Sequence, residues 1–385
     1  MSTVVFAMEW VPQYRVPFYA GVRERLAEDG IEVRLVHGDP PASRRARGDD
    51  QSLPWAETVP NRFWTVHGLE LTLQPVLRRL KGAELIILQQ ETGLLVNYPV
   101  LIRSKLGGTP VALWGHGHNF NPLEASAPAE WVKSKITPLA DWIFAYTERS
   151  AEVFGSLGIT RERITVVQNA VDTDALRAAA TSGTGTPIGG VSDEIARLVA
   201  EVGERGARVG WIVSALDRWK RVPFLLETID ATRERVDDFE FFALGAGTDA
   251  NILREAARTR PWLHAVGPVF GPDKAAIGRL AELTIHPGLI GLHVLDAFAT
   301  ASPMVTADIS YHSHEIDYLE PGVNGVMLDS EATVSDFAST VAALLEDEAR
   351  LKTLQEGCRE AASMYTMEAM IERFAAGVRS ALAAA

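Results

Sequence analysis

The sequence predicts an α/β protein made of two doubly wound parallel-sheet domains that face a cleft. Three observations predict it. Short apolar runs alternate with longer amphipathic stretches from Val4 onward, the order that yields a parallel sheet covered on both faces. The alternation breaks once, in the Ala-, Thr-, Ser- and Gly-rich stretch Ala178–Gly190, and then restarts. At 385 residues the chain suits two domains of ordinary size better than one core.

In the first half, Val4–Met8 and Glu32–His37 read as strands around a helix at Phe18–Asp29. A helix over Leu71–Lys81, a strand at Glu84–Leu88, a helix at Asn97–Leu106 and a strand at Pro110–Trp114 follow, then strands at Trp142–Tyr146 and Ile164–Gln168. After the break, a helix at Asp193–Glu204 leads into a second series. Its strands are Arg208–Val213, Glu240–Leu244, His264–Val266, Leu283–His286 and Met304–Thr306. Helices at Pro223–Arg235, Ala250–Thr259, Asp273–Ala281 and Leu292–Ala301 lie between them. Helices at Ala332–Glu346, Glu348–Ser363 and Met367–Ala384 complete the chain. Ligands of open parallel sheets bind at the carboxyl ends of the strands, so the crevice between the two sheets is the expected site.

A formal charge of −13 argues against a nucleic-acid binder, which needs clustered Lys and Arg. Cys358 is the single cysteine, so neither an intrachain disulfide nor a zinc–cysteine site is available. The N-terminus lacks a basic region followed by a long apolar core. The most apolar region, Leu85–Ile102, is interrupted by Gln89, Gln90, Glu91 and Asn97. A soluble, cytoplasmic protein is expected. Arg44, Arg45 and Arg47 read as a solvated loop, with peripheral contact to anionic lipid at the inner membrane face as the alternative.

The segment from His286 to Pro303 carries the most chemistry. It sets Gly288 and Gly291 in a loop that opens a helix, where backbone N–H groups can approach an anion. Asp296 lies one turn into that helix and either meets ribose hydroxyls or sits on a solvated face. His312 and His314, with His293 elsewhere, lack a carboxylate–His helix motif, and no metal site is expected.

This segment resembles the donor loop of family 4 glycosyltransferases of the GT-B fold. Their pattern is Pro-Ser-x-x-Glu-Gly-Phe-Gly-Leu, then a second Glu-Ala, then a small residue, x, Pro-Val. Gly288-Leu-Ile-Gly-Leu292 falls on Glu-Gly-Phe-Gly-Leu, Asp296-Ala on the second Glu-Ala, and Ser302-Pro-Met-Val305 on the close. Glu315-Ile-Asp-Tyr-Leu-Glu-Pro-Gly-Val-Asn-Gly325 resembles the family's Pro-Glu-Ile followed by Gly-x-Asn-Gly. Gln168-Asn-Ala-Val-Asp172 resembles Asn-Gly-Val-Asp, and Leu244-Gly-Ala-Gly247 resembles Gly-x-Gly after a strand. The matches run in family order across most of the chain. Gly288 stands where the family has a sugar-contacting Glu, and Asp296 replaces the second Glu. In Ser214-Ala-Leu-Asp-Arg-Trp-Lys220-Arg221 the family's Lys is kept, while its Arg position holds Ala215.

The resemblance implies two Rossmann-like domains and a retaining transfer from a nucleoside-diphosphate sugar, UDP or GDP, with no metal or other cofactor. It places Lys220 on the diphosphate, with Arg218 or Arg221 standing in for the missing Arg. Asp296 would meet ribose, and Gly245, Gly247, Gly288, Gly291, Leu292 and Glu315 would line the donor. Cations near a diphosphate stabilise the charge that develops as the sugar leaves. The acceptor, a saccharide, lipid or small natural product, is expected on the N-terminal half. There Trp10-Val-Pro-Gln-Tyr-Arg-Val-Pro-Phe-Tyr19 resembles a Tyr-Arg-x-Pro-Phe stretch of some bacterial members. Tyr14, Arg15 and Phe18 are its candidates, with the core face of a helix as the alternative for Phe18 and Tyr19. Leu113-Trp-Gly-His-Gly-His-Asn119 follows a strand where the family keeps a functional His. His116 fits that position best and His118 second, as groups able to bond sugar hydroxyls or phosphate. The expected organisation is an acceptor-side domain over 1–177, a linker and donor domain over 178–366, and a last helix over 367–385 that crosses back. A nucleotide-sugar epimerase on the same fold and a non-catalytic nucleotide-sugar binder are the competing readings.

Overall fold

The computed structural model describes residues 2–41, 51–66, 69–118, 126–182 and 186–384. Arg44, Arg45, Arg47 and Asn119 lie outside the described residues. The chain divides into two compact units, Met1–Val171 with Met367–Ala385, and Asp172–Thr366.

The N-terminal unit is built on a parallel sheet. Its strands are β1 (Ser2–Met8), β2 (Ile31–His37), β3 (Glu57–Thr58), β6 (Leu85–Gln89), β7 (Val111–Gly115), β8 (Trp142–Ala145) and β9 (Ile164–Val166), in the order β3-β2-β1-β6-β7-β8-β9. Alternate side chains face opposite layers. Val5, Ala7, Ile86, Leu88 and Leu113 share one core. Phe6, Trp114 and Phe144 meet Phe374 on the other face, with the Phe144 and Phe374 rings stacked at 4.0 Å. Phe374 belongs to the last helix, Met367–Ala383, which packs on helix α1 (Val16–Glu28). Arg25–Glu372 and Arg379–Asp29 ion pairs tie the two helices at 2.5 and 2.7 Å.

One expectation fails here. Leu71–Lys81 is not helical. Leu69–Leu73 is strand β5, paired antiparallel with β4 (Arg62–Val66), and turns follow. Thr72, Gln74 and Val76 are buried while Leu73 and Leu77 are exposed, a period of two rather than 3.6. Pro75 also lacks the N–H that a helix through it would need.

The C-terminal unit holds β10 (Arg208–Val213), β11 (Phe239–Leu244), β12 (Leu263–Gly267), β13 (Leu283–Ile285), β14 (Met304–Ala307) and β15 (Gly325–Leu328), all parallel, in the order β12-β11-β10-β13-β14-β15. Ile212 and Phe241 enter one core, and their neighbours Trp211 and Phe242 enter the other. The order reverses between β10 and β13, as it does between β1 and β6 in the first unit. Such switch points open a crevice at the strands' carboxyl ends. Two further boundaries move. Helix Asp174–Thr181 runs into the stretch expected to be linker. The helix expected over Leu292–Ala301 spans only Val294–Ala299.

Candidate active site

In the C-terminal unit, two loops leave the switch point, one after β10 and one after β13. The first, Ser214–Lys220, lies against the exit of β11. Ser214 N–H donates to Leu244 O at 3.0 Å, and Leu216 N–H donates to Ala246 O at 2.9 Å. A Cβ on Gly245, whose φ is +136°, would fall 1.8 Å from Ser214 O, and one on Gly247 would fall 2.1 Å from Leu216 O. Only glycine permits this approach. Asp217 accepts from Trp219 N–H at 3.0 Å and starts a short 3₁₀ turn, Arg218–Lys220, which delivers Lys220 to the crevice floor.

The second loop, Gly288–Ile290, is held peptide by peptide. Leu289 N–H donates to Trp219 O at 2.8 Å, and Lys220 Nζ donates to Leu289 O at 2.6 Å. Ile290 N–H donates to His312 Nδ1 at 3.1 Å, and Ser313 N–H donates to Ile290 O at 3.0 Å. His286 Nδ1 lies 3.2 Å from Gly288 O and must carry the proton to make that bond. His312 takes the other tautomer, because Nδ1 accepts while Nε2 donates to Ala307 O at 2.8 Å. The Gly288 backbone itself lies on the first loop. A Cβ there would sit 2.4 Å from Trp219 O and 2.5 Å from Lys220 Cα. In this packing the position holds no side chain, so the absence of the family's Glu follows from backbone contact.

Lys220 is 7% exposed. His286 is fully buried and stacks on His293, ring centroids 4.2 Å apart. Neither Nε2 has a hydrogen-bond partner among the described residues. Burial first, then the Lys220 ammonium and His312, holds His286 well below the usual imidazole range. His293 is lowered by burial, then by His286, Lys220 and His312. Both rings are therefore neutral at pH 7, and Lys220 carries the charge.

Asp296 is buried and accepts from Lys274 Nζ at 2.9 Å. Lys274 comes from helix Gly271–Gly278 and had no signal in the sequence. Arg218 is exposed with its guanidinium over the Trp219 ring at 4.3 Å, while Arg221 reaches Pro287 O at 3.4 Å. Gly291 and Leu292 are half-buried at the loop's end, and Glu315 is buried in the 3₁₀ turn His314–Tyr318. Asn324, of the Gly-Val-Asn-Gly stretch, closes its own turn by donating to Tyr318 O at 3.0 Å and accepting from Glu320 N–H at 2.8 Å.

In the N-terminal unit, a pocket of about 470 Å³ opens at the β1/β6 switch point. It brings together Tyr14, Arg15 and His116, with Trp10, Trp114 and Tyr146 in its walls; His118 is not among the lining residues. Gly115 and Gly117 shape the His116 loop. A Cβ on Gly115 would strike Gln90 at 2.4 Å, and Gly117 has φ +91°. Gln90 accepts from Gly117 N–H at 2.8 Å and donates to Thr137 Oγ1 at 2.8 Å. His116 lies 4.1 Å from the Tyr146 ring. Burial lowers His118, with Lys133 and Arg149 adding to the effect against Glu130. Arg15 is 4% exposed. It donates to Asn169 Oδ1 and Ala170 O, and the Trp114 and Tyr146 rings lie 5.0 and 5.8 Å from its guanidinium. Asn169 of the Asn-Ala-Val-Asp stretch thus anchors Arg15.

Two Rossmann-like parallel-sheet domains in one chain are the architecture of the GT-B fold. Residues 20–175 match the family model described as Glycosyltransferase Family 4, and residues 207–347 match the one described as Glycosyl transferases group 1. Together the two take in most of the chain, which belongs to the family 4-like glycosyltransferases. No curated relative matches by sequence. Among solved structures, Anabaena HepE in complex with UDP aligns with a TM-score of 0.70 at 17% identity, over 99% of this chain and 100% of that one. The pneumococcal O-GlcNAc transferase GtfA in complex with UDP and GlcNAc gives 0.68 at 11%, over 99% of each chain. The lipopolysaccharide outer core galactosyltransferase WaaB gives 0.63 at 14%, over 98% and 99%. These likenesses establish the shared fold. Among the described residues, no helix is long and apolar enough to cross a membrane.

Proposed function

We propose that the chain is a retaining glycosyltransferase that moves a sugar from a nucleoside-diphosphate sugar, with UDP or GDP as carrier, to a hydroxyl of a saccharide, lipid or natural-product acceptor. The observation that carries this reading is the buried Lys220 ammonium, set at the β10/β13 switch point on the glycine loop Gly288–Ile290. Similar structures with UDP or UDP-glucose bound support the donor class. Lys220, joined by Arg218, neutralises the diphosphate as the glycosidic bond breaks. An ammonium has three donors, so it can hold Leu289 O and still meet a phosphate oxygen. Gly291 and Leu292 offer backbone N–H groups, and Asp296, oriented by Lys274, accepts from ribose hydroxyls. Gly245 and Gly247 keep the first loop down beside the nucleotide, and Glu315 lines the donor. His116 and Tyr14 act on the acceptor side, where Arg15 braces the aromatic wall. The reading takes transfer as front-face, with the leaving phosphate accepting the acceptor's proton and protein cations serving in place of a metal.

The test is incubation of the purified chain with UDP- and GDP-sugars and a panel of acceptors. Nucleoside diphosphate release should require acceptor, survive a chelator, and give a product with the donor's anomeric configuration by NMR. Epimerised donor formed without acceptor would replace transfer with epimerisation. Tight UDP or GDP binding with no turnover on any acceptor would leave a binding protein.

A further inference from the structure

Two consecutive glutamines, Gln89 and Gln90, stand at the carboxyl end of β6, and the protein uses only one of their amides. Gln90 is 7% exposed and its amide is filled. Its Oε1 accepts from Gly117 N–H and its Nε2 donates to Thr137 Oγ1, each at 2.8 Å. Gln89 is half-buried. Its backbone is fixed, because Gln89 O accepts from Asn97 Nδ2 at 2.8 Å. Its side-chain amide makes no hydrogen bond to a described residue, and Gln89 lines the N-terminal pocket of about 470 Å³.

The place of Gln89 is central. Strand β6 lies between β1 and β7 at the switch point. Leu88 is registered with Ala7 of β1, and Gln89 with Trp114 of β7. Trp10 follows β1 and His116 follows β7, so the Gln89 amide stands between an aromatic residue and the His116 loop. Trp10 and Tyr14 line the same volume, and neither the Trp10 indole N–H nor the Tyr14 hydroxyl bonds a described residue.

This set of groups selects a chemistry. A primary amide carries an acceptor oxygen beside a donor nitrogen. Two adjacent hydroxyls match it, one donating to Oε1 and the other accepting from Nε2. Aromatic rings add flat apolar area with a polar edge, which suits the C–H face of a sugar ring. A long alkyl chain in this volume would bury the amide, the indole N–H and the hydroxyl without partners, at a cost for each. A flat phenol would cover the rings and leave half of the amide unpaired.

We propose that Gln89 is the residue that selects the acceptor, and that the acceptor is a saccharide with two adjacent free hydroxyls. The amide grips the diol, the ring lies against Trp10 and Tyr14, and the sugar is thereby set beside the His116 loop. The inference rests on the reading of the N-terminal unit as the acceptor side, and it names that acceptor's class.

The full chain is titrated by NMR, with and without UDP, against methyl pyranosides and disaccharides of glucose, galactose and mannose, against octanol, and against a phenol. UDP and GDP affinities are measured on the same preparation by calorimetry. Saccharides should bind best. Deoxygenating either hydroxyl of one adjacent pair should weaken the best of them about tenfold, a reading on the unaltered protein. Gln89→Leu should weaken the parent sugar about tenfold and erase the difference between parent and deoxy sugar. Gln89→Glu keeps the acceptor oxygen and loses the donor, so its affinity should fall between the two. Melting temperature and UDP affinity should not change. Tighter binding of octanol or the phenol than of every saccharide overturns the proposal. So does wild-type sugar affinity in Gln89→Leu, or a deoxy penalty that persists in that variant. If UDP or GDP binds and no saccharide does, the proposal fails and the donor reading stands. If the saccharides behave as stated and neither nucleotide binds, it is the donor reading that fails.

Discussion

Lys220 donates through Nζ to Leu289 O at 2.6 Å, across two loops that leave different strands. One side chain thus fixes the floor of the crevice and supplies its buried charge. Lys220→Ala removes both. Turnover should fall by about 10²–10³, as when one stabilising donor of a transition-state charge is deleted. Nucleotide affinity should weaken with it, as calorimetry with UDP and GDP would register. Lys220→Ala with wild-type donor kinetics would refute the assignment.

Gly288 lies on Trp219 and Lys220 with no room for a side chain. Gly288→Glu, which writes the family residue back, should therefore not improve the enzyme. We expect a loss of about 1–3 kcal/mol from overpacking, read as a melting temperature lower by several degrees. Gly291→Ala meets only Ser313 Oγ, at 3.8 Å, and should melt near the wild-type temperature.

His286 and His293 are held neutral by burial beside Lys220. Their folded pKa values lie below the unfolded value of about 6.5, so the unfolded chain binds more protons as pH falls. Their contribution is complete above about pH 6.5 and is lost as pH drops below it. Each histidine removes up to about 1.4 kcal/mol per pH unit in that window. His293→Phe keeps a ring against His286 without a titrating nitrogen. Denaturant melts between about pH 7 and about pH 5 should show a shallower decline for this variant than for wild type.

Much of this was legible in the sequence, and the rest was hidden for physical reasons. Alternating apolar runs located most strands of both sheets, because buried parallel strands are continuously apolar. Leu71, Leu80 and their neighbours mimic a helical stripe; Pro75 speaks against a helix, and pairing with β4 makes Leu69–Leu73 a strand. The Gly288–Ile290 segment could be read as a loop. Its clamp could not, since Trp219, Lys220 and His312 reach it from distant positions. His286 and Lys274 gave no motif, and their roles depend on who sits beside them.

Gln90 holds the His116 loop by accepting from Gly117 N–H. Gln90→Leu should let that loop shift, lowering kcat about tenfold or more while leaving nucleotide affinity unchanged, because a misplacement on the order of 1 Å costs up to about 10²-fold. Kinetics at saturating donor, set against calorimetry with UDP and GDP, separate the two effects.

Phe374 is fully buried and stacks on Phe144 at 4.0 Å. Phe374→Ala should cost about 3–5 kcal/mol, and a chain ending before Met367 should leave the N-terminal unit open to limited proteolysis. The same helix sets an order of assembly. It follows the whole of Asp172–Thr366 in the chain, yet it completes the unit that contains β1. Domains generally fold as units during synthesis, and the unit Asp172–Thr366 has all its residues while the other still lacks a layer. The earlier-made half of this enzyme is thus the later one to finish, and until the helix Met367–Ala383 docks, its uncovered aromatic face is what a chaperone would meet.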